Sequence, residues 1–84
     1  MDVRQLSFRL LQVFVHVART GNISATARML HLTQPTVSIQ LKRLREAVGE
    51  PLFYQSDGAM VLTDVGSELH LAASDVLGLS LIHI

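Results

Sequence analysis

The dipeptide Asp57-Gly58 limits the choice of fold more than any other part of this sequence. It follows Ser56 and stands between two short apolar runs, residues 52–55 and 59–62. Asp-Gly favours a two-residue hairpin turn because both residues tolerate positive φ. We therefore predict a small two-stranded β-wing over about residues 52–62. With 84 residues and no cysteine, the rest of the chain must form one small domain held by apolar packing, without disulfides.

Two helices are predicted before the wing. Apolar residues at helical spacing predict the first, and Thr20-Gly21-Asn22 is expected to end it. The second is short, with Ser24 as its predicted N-cap, Ile23 packing just before the cap, and Ala27 and Leu30 on its buried side. The stripe of the first helix is Leu6, Leu10, Val13, Phe14 and Val17.

A third helix is predicted after the tight connection His31-Leu32. Thr33 is its expected N-cap, Pro35 suits the first turn, and Gly49 is expected to end it. The helical phase places Ser38 and Thr36 on the flanks of the exposed face. The predicted buried stripe is Val37, Leu41, Leu44 and Val48, and the predicted exposed face holds Pro35, Ile39, Lys42 and Arg43.

A fourth helix is predicted to follow the wing, capped by Thr63 and beginning at Asp64. Its apolar residues alternate in spacing between 4 and 3, as in the seam of a coiled coil. This pattern indicates pairing with another helix. The seam consists of Val65, Leu69, Ala72, Val76 and Leu79, and the first four are the predicted dimerisation residues.

The distribution of charge matters more than the total. Seven basic and seven acidic residues give a formal net charge of zero, which argues against a nucleic-acid partner. However, residues 1–45 contain all seven bases and one acid, for a net charge of +6, whereas residues 46–84 contain six acids and no base. Such asymmetry favours a nucleic-acid-binding face on one side of the domain. The alternative is a random scatter of surface charge.

The order of these elements predicts a mostly α fold, a winged helix-turn-helix with a two-stranded β-wing and a C-terminal linker or dimerisation helix. The sequence also resembles the N-terminal domain of LysR-type transcriptional regulators, most clearly in residues 13–24, 30–44, 49–53 and 62–66. The resemblance runs without gaps from Arg9 to Gly66. It implies an N-terminal extension of the first helix over 1–8, the DNA-binding domain over 9–66 with its helix-turn-helix at about 21–45, and the start of a linker helix with an atypical apolar tail over 64–84.

A recognition helix places its first residues at base edges in the major groove. Gln34, Thr36 and Ser38 supply the short polar side chains for this role, and Ile39 suits a thymine methyl. The alternative is ordinary helix-start chemistry for the polar residues and a solvated face for the rest. The predicted DNA-binding residues are Ser24, Thr33, Gln34, Pro35, Thr36, Ser38, Ile39, Lys42 and Arg43; Lys42, Arg43 and the helix start at Ser24 are assigned to phosphates.

Three positions depart from the family pattern implied by the resemblance. Gln55 stands where the family usually has an arginine, Asp57 is at the wing tip, and Ala25 replaces a polar or basic residue. Each lost phosphate contact lowers the slope of log affinity against log salt by about 0.9. We expect a wing that binds DNA weakly.

The predicted function is sequence-specific binding of promoter DNA by a dimeric transcription regulator. The alternative is an interaction module that pairs with full-length regulator subunits through the linker helix and modulates their DNA binding. We expect no enzyme, metal or cofactor, because no activated nucleophile or paired carboxylate accompanies the scattered histidines at 16, 31, 70 and 83. We also expect a soluble, cytoplasmic protein, since no signal peptide or membrane-length apolar run is present.

The last residues, 77–84, carry no acidic or basic residue except His83 and do not resemble a solvent-exposed linker helix. Two explanations are open. The chain is a truncated regulator or ends in unrelated sequence, or it is a short natural regulator whose apolar tail is buried in a dimer. In either case we expect no small-molecule effector site of the family's larger domain in this fragment.

Overall fold

The computed structural model describes residues 3–78, with side-chain burial from residue 8 onward. It confirms a mostly α winged helix-turn-helix. The described residues form α1 (Val3–Thr20), α2 (Ile23–Leu30), α3 (Gln34–Val48), β1 (Phe53–Ser56), β2 (Ala59–Leu62) and α4 (Asp64–Val76). None of these helices is long and apolar enough to cross a membrane.

Helix α1 is the centre of the core because α2, α3 and α4 all pack against it. Val13 and Val17 pack with Ala27 of α2 and Val37 of α3. The other described stripe residues, Leu10 and Phe14, are also buried, as the spacing predicts. Phe14 and Phe53 meet with ring centroids 5.4 Å apart, so the core of α1 continues into the hairpin. A second cluster consists of Leu10, Phe14, Val15, Leu44, Leu52 and Ala73.

The predicted stripe of α3 is wrong at one position. Val37 and Leu44 are buried and Leu41 is half-buried, but Val48 is 38% exposed. Leu44 already lies in the cluster with Leu10 of α1. Val48 is one turn further along α3 and extends past that cluster.

The N-cap of α2 is Asn22, so the prediction of Ser24 is wrong. Asn22 Oδ1 accepts a hydrogen bond from the backbone N–H of Ala25 at 2.9 Å. The hydroxyl of Thr20 accepts from the N–H of Asn22 at 3.1 Å and donates to its carbonyl at 3.0 Å, which holds Asn22 extended. Helix α2 therefore begins at Ile23, one residue before Ser24.

We expect Asn22→Ala to lower the free energy of unfolding by about 1 kcal/mol, because it removes the acceptor for an N–H at the helix start. Ser24→Ala is the matched control and should change stability by less than about 0.5 kcal/mol. Urea unfolding followed by circular dichroism measures both. An equal loss in the two variants would contradict the assignment of Asn22 as the cap.

The turn between α2 and α3 fixes the two helices relative to each other. His31 has φ 57° and ψ 42°, a left-handed conformation that ends α2. The N–H of Leu32 donates to the carbonyl of Ala27 at 2.8 Å. Thr33 then caps α3 as predicted, since its hydroxyl oxygen accepts from the N–H of Thr36 at 3.2 Å.

The hairpin is confirmed, with Phe53 opposite Leu62 and Ser56 opposite Ala59. Asp57 and Gly58 have φ of 50° and 79°, as a tight two-residue turn requires. The N–H of Met60 donates to the carbonyl of Gly21 at 3.0 Å, which ties the hairpin to the turn between α1 and α2.

Thr63 attaches α4 to the base of the hairpin. Its hydroxyl donates to the carbonyl of Pro51 at 2.8 Å and accepts from the N–H of Gly66 at 3.0 Å, the latter as the predicted N-cap bond. Its own N–H donates to the carbonyl of Leu52 at 3.0 Å. The start of α4 is therefore held against the segment that leads into β1.

Candidate nucleic-acid interface

One face of α3 is exposed and carries most of the residues assigned to DNA by sequence. Val37 and Leu44 hold the opposite side of the helix in the core. Because the helix turns about 100° per residue, this burial directs Pro35, Ile39 and Lys42 away from the domain. The exposed residues of this face are Gln34, Pro35, Ser38, Ile39, Lys42 and Arg43, and Ile39 is 51% exposed.

The polar side chains at the start of α3 differ in whether they form hydrogen bonds within the domain. The hydroxyls of Thr33 and Thr36 are 2.8 Å apart and hydrogen-bonded, so the cap already orients both. Within residues 8–78, by contrast, the side chains of Gln34 and Ser38 have no hydrogen-bond partner in the protein. Their donors and acceptors are therefore available to a ligand.

Cationic side chains follow the polar start of α3, and an acidic side chain follows them one turn later. Lys42, Arg43 and Arg45 are exposed, and no ion pair engages them among the described residues. Glu46 is exposed and lies on the same outer face by helical phase, one turn after Lys42. The sequence interpretation left Glu46 out of this face, although the same periodicity places it there. An acid at this point repels phosphate, so the positive surface ends near Arg43.

The start of α2 lies beside the hairpin. Gly21, Asn22, Ser24, Gln55 and Gly58 line one shallow polar hollow together with Ile23 and Met60. Ser24 thus lies in the first turn of α2, where backbone N–H groups face outward, although it is not the cap. Ala25 is half-buried and adds no polar group.

The hairpin exposes no positive charge. Tyr54 is 53% exposed, and Gln55 and Asp57 are also exposed. Weak DNA binding by this wing stays a prediction.

The residues of the predicted seam lie on one side of α4, but their burial changes along the helix. Val65 and Leu69 are half-buried and pack against the core cluster of Phe14. Ala72 is exposed and Val76 is 66% exposed, and Leu71, which the sequence interpretation missed, is 64% exposed. The buried small residues Gly66 and Ala73 give the phase from which Leu71 could have been found. Leu79, His83 and the apolar tail over 79–84 lie outside the described residues.

The histidines give no metal site in the part of the chain that the structure describes, where no group of three or more His, Cys, Asp or Glu residues lies close enough to hold an ion. His70 packs edge-on against Phe14 with ring centroids 6.3 Å apart. His31 occupies the turn between α2 and α3.

The sequence profile of the bacterial regulatory helix-turn-helix proteins of the LysR family matches residues 8–67. This chain belongs to the LysR family. It is 46% identical over 76 residues to the HTH-type transcriptional regulator CfxR of Cupriavidus necator, a match that covers 90% of this chain and 24% of CfxR. It is 42% identical over 77 residues to the RuBisCO operon transcriptional regulator of Acidithiobacillus ferrooxidans, covering 92% of this chain and 25% of the relative. The LysR-family chain thus spans about a quarter of the length of these relatives.

Two solved structures of DNA complexes share its fold. The CbnR_DBD–DNA complex is similar with a TM-score of 0.79 and 35% identity, covering 86% of this chain and 83% of that one. The BenM_DBD complex with catB site 1 DNA is similar with a TM-score of 0.80 and 27% identity, covering 84% of this chain and 79% of that one. The similarity therefore covers about four fifths of each of these two chains.

Proposed function

We propose that this LysR-family chain is the DNA-binding part of a transcription regulator and recognises promoter DNA by placing α3 in the major groove. The observation that carries the proposal is the exposed face of α3, which has polar groups at its start and cations one to two turns later. Gln34, Ser38, Lys42 and Arg43 of this face have no hydrogen-bond or ion-pair partner among residues 8–78. Similarity to two proteins solved with DNA supports it. No observation favours the alternative of an interaction module that only modulates other subunits.

Each residue has a role in this proposal. Gln34, Thr36 and Ser38 contact base edges, since amides and hydroxyls are the groups that read them, and Ile39 packs against a thymine methyl. Lys42 and Arg43 contact phosphates and so fix the position of the helix. Thr33 and Pro35 set the start of α3, and the first turn of α2 at Ser24 presents N–H groups to a phosphate oxygen.

We further propose that two copies bind together, in the cytoplasm, through α4. The pairing face centres on Ala72 and Val76, because both are exposed and apolar and lie four residues apart on one side of the helix. Leu71 is a further exposed apolar residue, about 100° around the helix from Ala72. Val65 and Leu69 lie on the same side of α4 by helical phase, but they pack against the domain's own core and so hold the start of the helix in place. A dimer of this kind places two α3 helices in half-sites one or more helical turns apart.

Selection of random duplex DNA with this chain tests both parts of the proposal. We expect enrichment of a sequence that contains two related half-sites in inverted orientation. In Gln34→Ala, preference at one base pair of each half-site should fall by roughly tenfold or more, the discrimination of a good amide–base contact. Glu50→Gln, an exposed change outside α3, is the control and should enrich the wild-type sequence. Absence of any enriched sequence would contradict base reading, and a single half-site would contradict the dimer.

A further inference from the structure

A groove lies between α3 and the hairpin, and the roles assigned above use only Ser38 and Lys42 of its lining residues. It has about 240 Å³ of free volume. Its apolar wall includes Leu41, Phe53 and Met60, which come from α3, β1 and β2. We call it the α3–wing groove.

The apolar wall of the α3–wing groove retains solvent-exposed surface. Leu41, Phe53 and Met60 are each half-buried, so part of each side chain borders the free volume rather than the core. Covering apolar surface of this kind is favourable for a ligand with an apolar body. The volume lies below the range of pockets for drug-sized molecules, so the occupant is small.

The other side of the groove is polar and positive. Ser38, Lys42 and Arg45 line it at positions i, i+4 and i+7 of α3, along one side of the helix. No acidic side chain is among the lining residues, and the described part of the chain offers neither cation an ion-pair partner. Arg45 also borders a neighbouring hollow with Glu46 and Glu50. An anionic group between Lys42 and Arg45 would therefore match the positive charge on this side of the groove.

We propose that the α3–wing groove binds a small anionic amphiphile, with its apolar body on Leu41, Phe53 and Met60 and its carboxylate between Lys42 and Arg45. Occupancy neutralises Lys42, which is assigned to a phosphate. Such a ligand therefore weakens DNA binding, and this second part rests on the function proposed above. The DNA-binding part would then respond to a metabolite by itself, without a separate effector domain.

Titration of the ¹⁵N-labelled chain with sodium hexanoate tests the groove directly by amide chemical shifts. We expect saturable shifts at Leu41, Phe53 and Met60 with a dissociation constant in the millimolar range. Sodium acetate, which has the charge without the apolar body, should give no saturable shift there. 1-Hexanol, which has the body without the charge, should bind about tenfold more weakly, the loss expected for a hydrogen bond to a charged group. Absence of saturation with hexanoate, or equal binding of hexanol, would overturn the proposal.

A variant pair separates the groove from general attraction of anions. Arg45→Met keeps the length of the side chain and should weaken hexanoate binding about tenfold. Arg28→Met removes an exposed charge on α2 that does not line the groove and should leave the binding unchanged. Equal affinity in wild type and Arg45→Met would overturn the assigned site.

The effect on DNA is measured separately. Saturating hexanoate should raise the dissociation constant for a duplex several-fold relative to acetate at the same ionic strength. An unchanged DNA affinity would overturn the competition but not the groove. A chain that binds no DNA would contradict the proposed function, and the titration without DNA would still decide whether the groove binds its ligand.

Discussion

Gly66→Ala is expected to lower the free energy of unfolding by about 3 kcal/mol, at the upper end of the cost of overpacking a core. A Cβ at position 66 would collide with the carbonyl oxygen of Leu52, and would lie 3.1 Å from both the carbonyl carbon of Leu52 and Cδ2 of Leu62. That carbonyl oxygen also accepts from Thr63 N–H at 3.0 Å, so moving it breaks a second contact. Intrinsic propensity alone would predict the opposite sign, because alanine favours a helix over glycine by about 1 kcal/mol. Urea unfolding gives the difference.

Ser67→Ala is the matched control for this change. Ser67 is the next residue of α4 and is exposed, so its replacement should gain only a few tenths of a kcal/mol from helix propensity. Stabilisation by Gly66→Ala would show that the segment before β1 can move away from α4. The described packing of the hairpin base would then be wrong.

Replacing Lys42 and Arg43 together with alanine is expected to lower affinity for duplex DNA on the order of 100-fold, at about 1.4 kcal/mol for each lost charged contact. Both side chains are exposed and unpaired within residues 8–78, so their loss does not disturb the core. The slope of log affinity against log salt should decrease in magnitude by about 1.8, because each phosphate contact contributes about 0.9. Fluorescence anisotropy at several salt concentrations measures both quantities.

Arg9→Ala controls for the loss of net positive charge. Arg9 is exposed and lies twelve residues before Gly21 on α1, about 18 Å from the turn that leads into α2. Its slope should stay close to that of the wild type. If Arg9→Ala changes affinity and slope as much per charge as the double variant does, phosphate binding is not concentrated on α3.

The fold was predictable where a local chemical signal decides the backbone. Asp57-Gly58 selects the turn, and Thr33 and Thr63 supply a hydroxyl to the N–H three residues later. Asn22 and Ser24 both suit an N-cap, and the choice depends on the hydroxyl of Thr20, which sequence spacing does not reveal. Thr26 is fully buried although it is polar, because its hydroxyl lies 2.9 Å from that of Thr20.

The candidate site was predictable to the extent that it lies on a single helix. The exposed face of α3 follows from the phase of Val37 and Leu44, which the sequence provides. The face of α4 required the structure, because a 4-3 spacing suits a helix that packs on its own domain as well as one that pairs with a partner. The α3–wing groove is assembled from α2, α3, β1 and β2 and so has no sequence signature.

The close packing of Gly66 on Leu52 also links protein symmetry to the spacing of operator half-sites. It leaves no hinge between the segment entering the hairpin and the first turn of α4, so the direction of α4 is fixed relative to α3. In the proposed dimer, the separation of the two α3 helices is then a property of α4 itself. One residue inserted between Gly66 and Leu71 would rotate the face of Ala72 and Val76 by about 100°. Evolution of a new half-site spacing in this protein would therefore proceed through α4, without any change in the residues that read the bases.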